Sequence, residues 1–510
     1  MNMKYDASPS PNPNPAVLRQ TNQPRSALKK LSFLFVLAIL AASPFALAQA
    51  AYPQFEARDD SRLPAVSGRG KLLLNAAVTA SGSGSERQTA VEDSIDYLDN
   101  GVIRIGVNLN LGGSITYLAD AKMKENIVNS WDWGRQIQQS YYSGPVPYQN
   151  PAPDWKGLGW NPIQSGDFYR NRSKILAHTN NGKILYVKTV PMHWPLNNVP
   201  GECTMETWIE LDASAAKISC RLNNARPDKT FYGARSQELP AIYTIGTLWK
   251  LMTYTGADPF SNGEIERIKK VRDGAPFPWE GFRATENWAA LVNDKDWGLG
   301  VFTPGTAAYI GGFNGKENNG GVKDDPCGYI APIHNEILDH NIVYDYSYTL
   351  VLGSLSDIRA YALQHKPDGR PDFRFAKDRQ HWTLVHTTDA GFPIKEKWHV
   401  LLEKNDPQLI GPPGVWKAAD APKLFVRASG RSKKTTAQIY WKRFGDKDFS
   451  VKQCMDFELI ADGAPHTYEI HLAASPEYNG TITQLRFDPV TDGVAGEFID
   501  VEYIGWKKPE

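Results

Sequence analysis

Carboxylate, amide and aromatic side chains on one predicted hairpin are the first chemistry this sequence offers. Side chains alternate across a β-strand, so the segment from Cys203 to Asn223 divides into two faces. One face holds Cys203, Met205, Thr207, Ile209 and Leu211 opposite Ile218, Cys220 and Leu222. The other holds Thr204, Glu206, Trp208 and Glu210 opposite Lys217, Ser219, Arg221 and Asn223. The second face mixes the groups that a sugar-binding sheet needs. A solvated outer face laced with cross-strand ion pairs has the same composition.

Three further stretches are dense in polar and aromatic residues. In 129–145 (NSWDWGRQIQQSYYSGP), Asp132 and Arg135 can pair or hold hydroxyls, Gln136 and Gln139 are hydrogen-bond forks, and Trp131 and Tyr142 can stack on sugar rings. Residues 157–167 add Trp160, and residues 221–244 add Arg235, Gln237 and Glu238 before a bend at Pro240. Glycosidic cleavage needs one group to protonate the leaving oxygen and a second to attack or to activate water. Glu206 and Glu238 are the expected pair and Asp132 a third candidate, although a lone Glu near an Arg is more often an ion pair.

His334 is an acid/base candidate, as are His340 and His193. The run HNEILDH (334–340) also contains Glu336 and Asp339, but it lacks the HExxH helix spacing of a metalloenzyme, so no metal is expected. No serine nucleophile elbow, phosphate-cradling glycine loop or zinc-finger spacing occurs, and no cofactor is expected.

The elements that must position these groups read as strands, which makes the chain all-β. Alternation predicts strands over 102–109, 184–190, 205–211, 217–222, 288–292, 298–303 and 343–352. A short helix over 355–364, capped by Ser354 or Ser356, follows them. Residues 93–365 form the expected catalytic or glycan-binding sandwich, and 366–415 a linker with connecting strands. Residues 416–510 form a smaller sandwich, with strands over 423–428, 436–442, 456–460, 466–472, 482–487 and 497–504.

Ahead of these, residues 1–50 carry the marks of an export signal. Arg25, Lys29 and Lys30 precede an apolar run over 31–42, Pro44 breaks it, and Ala46, Ala48 and Ala50 offer cleavage sites. The run is shorter than the roughly 20 residues of a spanning helix, so a periplasmic or extracellular protein without membrane insertion is expected. Residues 51–92 read as a partly mobile extension. Removing the signal takes five basic residues and one acidic residue from 56 of each, leaving 51 against 55. That balance excludes nucleic-acid binders, which show a clear basic excess or stripe. Oxidising surroundings permit disulfides, and Cys203 with Cys220, on facing arms of the hairpin, is the expected pair.

Gly112-Gly113-Ser114-Ile115-Thr116-Tyr117-Leu118 resembles the early GGxIxxL stretch of galactose mutarotase-like β-supersandwich proteins. The segments WAALV (288–292) and GLGVF (298–302) resemble a hairpin of the same group. The resemblance spans residues 90–365 and implies a large twisted sandwich whose concave sheet holds carbohydrate. The catalytic His and Glu of the epimerases do not map residue by residue. Residues 436–449 and 463–472 resemble jelly-roll modules of secreted carbohydrate-active enzymes. The function these features imply is hydrolysis of a polysaccharide or glycan, with two alternatives: β-elimination by a polysaccharide lyase, or glycan binding without catalysis.

Overall fold

Strands set the architecture, because each must turn at least one face into a core, and central ones such as Trp288–Val292 and Ala241–Ile245 are buried on both. The computed structural model describes residues 94–146, 148, 155, 157–269 and 279–510. The export signal and the 51–92 extension lie outside the described residues.

Two nine-stranded antiparallel sheets form the first unit. The first sheet runs Ile95–Asp99, Ile103–Asn108, Ser114–Asp120, Ile137–Gln138, Ala241–Ile245, Cys327–Glu336, Ala308–Asn314 and Trp279–Arg283, and Arg235–Glu238 also pairs with Cys327–Glu336. The second runs Glu266–Arg267, Lys250–Thr253, Trp288–Val292, Trp297–Phe302, Val343–Ser354, Ala215–Asn224, Cys203–Asp212, Ile184–Val190 and Lys174–Asn180. Between them, Ile105, Val107, Ile242 and Ile330 of the first sheet pack against Ile209, Ile218, Leu222, Val301 and Leu350 of the second. Each such fully buried aliphatic side chain stabilises the fold by about 1.5–3 kcal/mol. The helix Leu355–Gln364 has the expected Ser354 cap and lays Ile358 and Ala362 on the outer face of the second sheet.

The Gly112-Gly113 pair has a steric cause. Both residues have positive φ (59° and 74°), and a Cβ on Gly113 would lie 2.4 Å from Cγ1 of Val187 in the other sheet. The chain therefore turns into Ser114–Asp120 while touching the opposite layer.

The hairpin faces are as the alternation predicts, but the disulfide is not. In the register, Cys203 faces Asn224 and Cys220 faces Thr207. The two cysteines share a face yet stand four positions apart, about 13 Å along the strands. Both thiols are free and buried, and burial pushes that of Cys220 up to about 12.

A second sandwich of two six-stranded sheets follows. The 366–415 stretch, expected as linker and connecting strands, is largely built into it. Asp372–Arg374 and Trp398–Leu401 pair with Phe498–Gly505, and Gln408–Ile410 pairs with Thr481–Asp488. The seam with the first unit is polar. Arg379 bridges Asp389 of its own unit and Asp339 of the first at 2.5–2.6 Å. His381 Nδ1 meets Glu336 Oε1 at 2.5 Å, and Lys417 meets Asp258 at 2.9 Å.

Candidate active site on the outer face of the first sheet

The face of the first sheet turned away from the common core has its own aromatic lining. Tyr243 on Ala241–Ile245, Tyr329 on Cys327–Glu336 and Trp279 on Trp279–Arg283 alternate with inward residues such as Ile242 and Ile330, so they share the outer side. Their ring centroids lie 4.6 Å (Tyr243 to Tyr329) and 5.0 Å (Trp279 to Tyr329) apart.

Glu238 enters this aromatic wall from Arg235–Glu238, opposite Ile333 of the neighbouring strand. Its carboxyl is buried, with the residue 6% exposed. Tyr142 donates a hydrogen bond to Oε2 at 3.2 Å. Gln237 fixes that tyrosine by accepting from its N–H and donating to its carbonyl, both at 2.8 Å. Burial raises the Glu238 carboxyl above its ordinary value, and the Tyr329 and Tyr142 hydroxyls offset this only in part. Neutral hydroxyls stabilise a carboxylate less than a cation does, so Glu238 keeps its proton unusually well.

Asp132 approaches the same face from the loop before Ile137–Gln138. Burial raises its carboxyl too, but Arg135 and the N–H groups of Gly134 and Arg135 pull the other way. Arg135 Nε is 3.3 Å from Asp132, and its Nη2 is 2.8 Å from Asp325. Tyr243 feels both acids: burial raises its phenol well above the ordinary value, and Glu238, Cys327 and Asp132 add to that rise. Gln136 and Gln138 continue the outer face, with Gln138 donating to Gln136 at 3.1 Å.

Asp132, Gln136, Tyr142 and Glu238 are thus brought onto one side of one sheet, with Trp131 exposed beside them. Arg135 belongs to the same loop but is 3% exposed, so it braces Asp132 rather than reaching a ligand.

Glu206 is not part of this group, so the expected Glu206 and Glu238 pair does not form. It projects from the outer face of the second sheet, where Tyr186, Asn223 and Lys188 hold it at 2.6, 2.8 and 3.2 Å. Trp208 packs on Tyr186 beside it, and Arg221 forks onto Asp345 at 2.7 and 2.8 Å. The hairpin's polar face is therefore a network of partnered charges.

Gln139 is buried, donating to the Glu206 carbonyl and to Thr207 Oγ1. Trp160 is 0% exposed, with its indole N–H on Glu202. Neither presents a surface to a sugar. Arg235 lies opposite Glu336 in the register, on the reverse side of its strand from Glu238.

His334 is also turned inward. It is buried, with Nε2 3.3 Å from Thr306 Oγ1, and burial, then the neighbouring His381, hold it well below the ordinary histidine value. His334, Glu336 and His381 bring one ligand atom each within 4.8 Å of one another, a donor set that could take a metal ion. Glu336 Oε1 is already engaged, because His381 and the Tyr344 hydroxyl both meet it, while His334 Nδ1 stands 3.9 Å away. The other members of the 334–340 run have different work. Asp339 binds Arg379, and the His340 carbonyl accepts from Arg226.

His193 sits on Glu202 at 2.9 Å, and that carboxyl is held down at about 2. Despite its burial, Glu202 is kept charged by His193, its own N–H and the Trp160 indole.

The described chain resembles galactose mutarotase-like proteins. One similar solved structure is a galactose mutarotase-related enzyme from Lactobacillus acidophilus, 12% identical, covering 51% of this chain and 97% of that one with a TM-score of 0.33. A galactose mutarotase-like protein from Lactobacillus casei is 12% identical, covering 51% and 100% with a TM-score of 0.34. One from Clostridium acetobutylicum is 10% identical, covering 52% and 96% with a TM-score of 0.32. No family model and no curated protein matches the chain.

Several residues of this face were not singled out from sequence. Tyr243, Tyr329 and Trp279 sit in ordinary-looking strands, and only the assembled sheet shows that their side faces away from the core. Arg170 and Arg172 follow directly on the 157–167 stretch, within the aromatic and basic run FYRNR (168–172).

Proposed function

We propose that this chain is an exported carbohydrate-active enzyme that hydrolyses glycosidic bonds of a polysaccharide or glycan on the outer face of the first sheet. The observation that supports this reading is a pair of carboxyls with unequal surroundings on one aromatic-lined face. Glu238 is surrounded by rings and hydroxyls, whereas Asp132 has a guanidinium at 3.3 Å. Environments that push two acids apart are what separate a general acid from a nucleophile or base. Glu238 holds the proton that a departing glycosidic oxygen must receive. Asp132, raised by burial as well but opposed there by the Arg135 guanidinium, supplies the attacking carboxylate or activates water. Tyr142 and Trp131 offer flat faces to sugar rings.

The test is incubation of the full chain with a glycan library, read by mass spectrometry, beside Glu238→Gln and Asp132→Asn. New reducing ends with the native chain and their loss in both variants support the assignment. Cleavage that survives both variants removes it. A product that absorbs in the ultraviolet identifies an unsaturated uronate, and with it elimination rather than hydrolysis. Binding without turnover by the native chain makes this a glycan-binding protein.

A further inference from the structure

Next to Asp132, a cavity of about 270 Å³ opens between Trp131, Trp133, Gln136, Arg170, Arg172 and Lys323. Among the described residues, three cations and no carboxylate line it, so its charge there has one sign. The acids nearby in the chain are engaged elsewhere. Asp132 and Asp325 flank Arg135, Asp167 accepts from Asn171 and from the Asn198 N–H, and Asp324 accepts from the Gly321 N–H.

The loop carrying the two arginines is held in place. Asp167 is fully buried at its base, its N–H bonds the Asn171 carbonyl, and the Arg170 N–H bonds the Asp167 carbonyl. Arg170 has φ of 69°, a left-handed conformation that costs a non-glycine residue about 1–2 kcal/mol and persists only where its surroundings enforce it. Trp133 closes one wall by packing its ring over Gly166, where a Cβ would come within 2.8 Å. Trp131 is 42% exposed at the rim, an unusual place for so large an apolar ring.

Cations around a small cavity attract an anion, and an exposed indole beside them recognises a ring carrying one. The volume lies just below the roughly 300 Å³ at which pockets for drug-sized ligands begin, which suits a single sugar residue.

We infer that this cavity binds an acidic sugar residue, its carboxylate or sulfate group among Arg170, Arg172 and Lys323 and its ring against Trp131. This deepens the proposed function and rests on glycan binding to the outer face of the first sheet. The glycan would be anionic, with the acidic residue held beside Asp132.

The experiment is calorimetric titration of the full chain with three oligosaccharides of equal length: one containing glucuronate, one sulfated and one neutral. The same titrations are run on Arg170→Gln, Arg172→Gln and Lys323→Gln, all at exposed positions. At least one acidic oligosaccharide is expected to bind tighter than the neutral one by about tenfold or more, as charge-assisted hydrogen bonds allow. Each variant should remove most of that advantage, and added salt should erode it. The two acidic arms tell carboxylate from sulfate. Equal binding of all three, or a preference untouched by the variants, overturns the inference. If the native chain cleaves the neutral oligosaccharide without preferring acid, the proposed function stands and this inference fails. If acidic sugar binds in a variant-sensitive manner and nothing is cleaved, this inference stands and hydrolysis fails.

Discussion

Tyr142 places its hydroxyl 3.2 Å from Glu238 Oε2, while Gln237 holds the Tyr142 backbone through two hydrogen bonds. The phenol is thereby fixed as a donor that favours the ionised carboxylate. Glu238→Gln, which keeps shape but cannot give up a proton, should lower kcat by about 10²-fold or more, the usual scale for losing a general acid. Tyr142→Phe removes a group that lowers the Glu238 pKa. The alkaline limb of its kcat/KM profile should therefore move to higher pH, which a pH series on a cleaved glycan would measure. A limb that stays in place would show that Glu238 is not the titrating acid.

The same carboxyl sets a sign for stability against pH. Burial raises the folded-state value of Glu238 above 4.5, so the folded chain binds its proton more tightly than the unfolded chain does. That contribution is complete below the unfolded value and is lost as pH rises through the raised folded value. Glu238→Gln carries no such proton. Its denaturation midpoint should fall less than that of the native chain between about pH 4.5 and neutrality, as urea titrations at several pH values would show.

Glu206 illustrates what the sequence made legible and what it did not. Its face was readable, because alternation along 203–223 is strict and the opposite face is apolar. Its role was not, because Tyr186, Lys188 and Asp345 come from other strands, and only the sheet order brings them beside Glu206 and Arg221. The strand at 184–190 and the helix at 355–364 were legible for the same local reasons of alternation and capping, and the strand at 288–292 as a short, wholly apolar run. Strands as short as Ile137–Gln138, and the placement of 372–410 in the second sandwich, depend on pairing with distant segments. Glu238 and Asp132 were legible as chemical types, but their shared face depends on the long-range pairing of Ala241–Ile245 with Ile137–Gln138.

For Glu206→Gln the expectation is structural. The substitution takes the charge from a network that includes Tyr186, Asn223 and Lys188. It should lower stability by about 1–3 kcal/mol, the cost of weakening buried, charge-assisted hydrogen bonds. Cleavage by the molecules that remain folded should be unchanged. A large loss of kcat at full stability would return Glu206 to the catalytic group.

Gly113→Ala probes the close approach of the two sheets. The new Cβ meets Val187 at 2.4 Å on a residue with φ of 74°. The left-handed backbone costs about 1–2 kcal/mol, and forcing apart a packed side chain costs about 1–3 kcal/mol. Thermal unfolding should show a clear fall in Tm. Gly101→Ala shares the positive φ but has nothing within 4 Å of its Cβ, so it should carry the backbone cost alone.

The cysteines provide a count that decides between the paired and the free state. Cys203, Cys220 and Cys327 are buried and Cys454 is partly exposed, all four as free thiols. Denatured without reductant, the chain should therefore react with four equivalents of a thiol reagent, whereas a Cys203 to Cys220 bridge would leave two. In the folded chain, reaction should be slow even at Cys454, whose thiol is pushed up to about 11, chiefly by burial. The thiolate is the reactive form, so raising the pH should speed labelling at Cys454 first. The other three should wait for unfolding, and reductant should leave the unfolding temperature where it was.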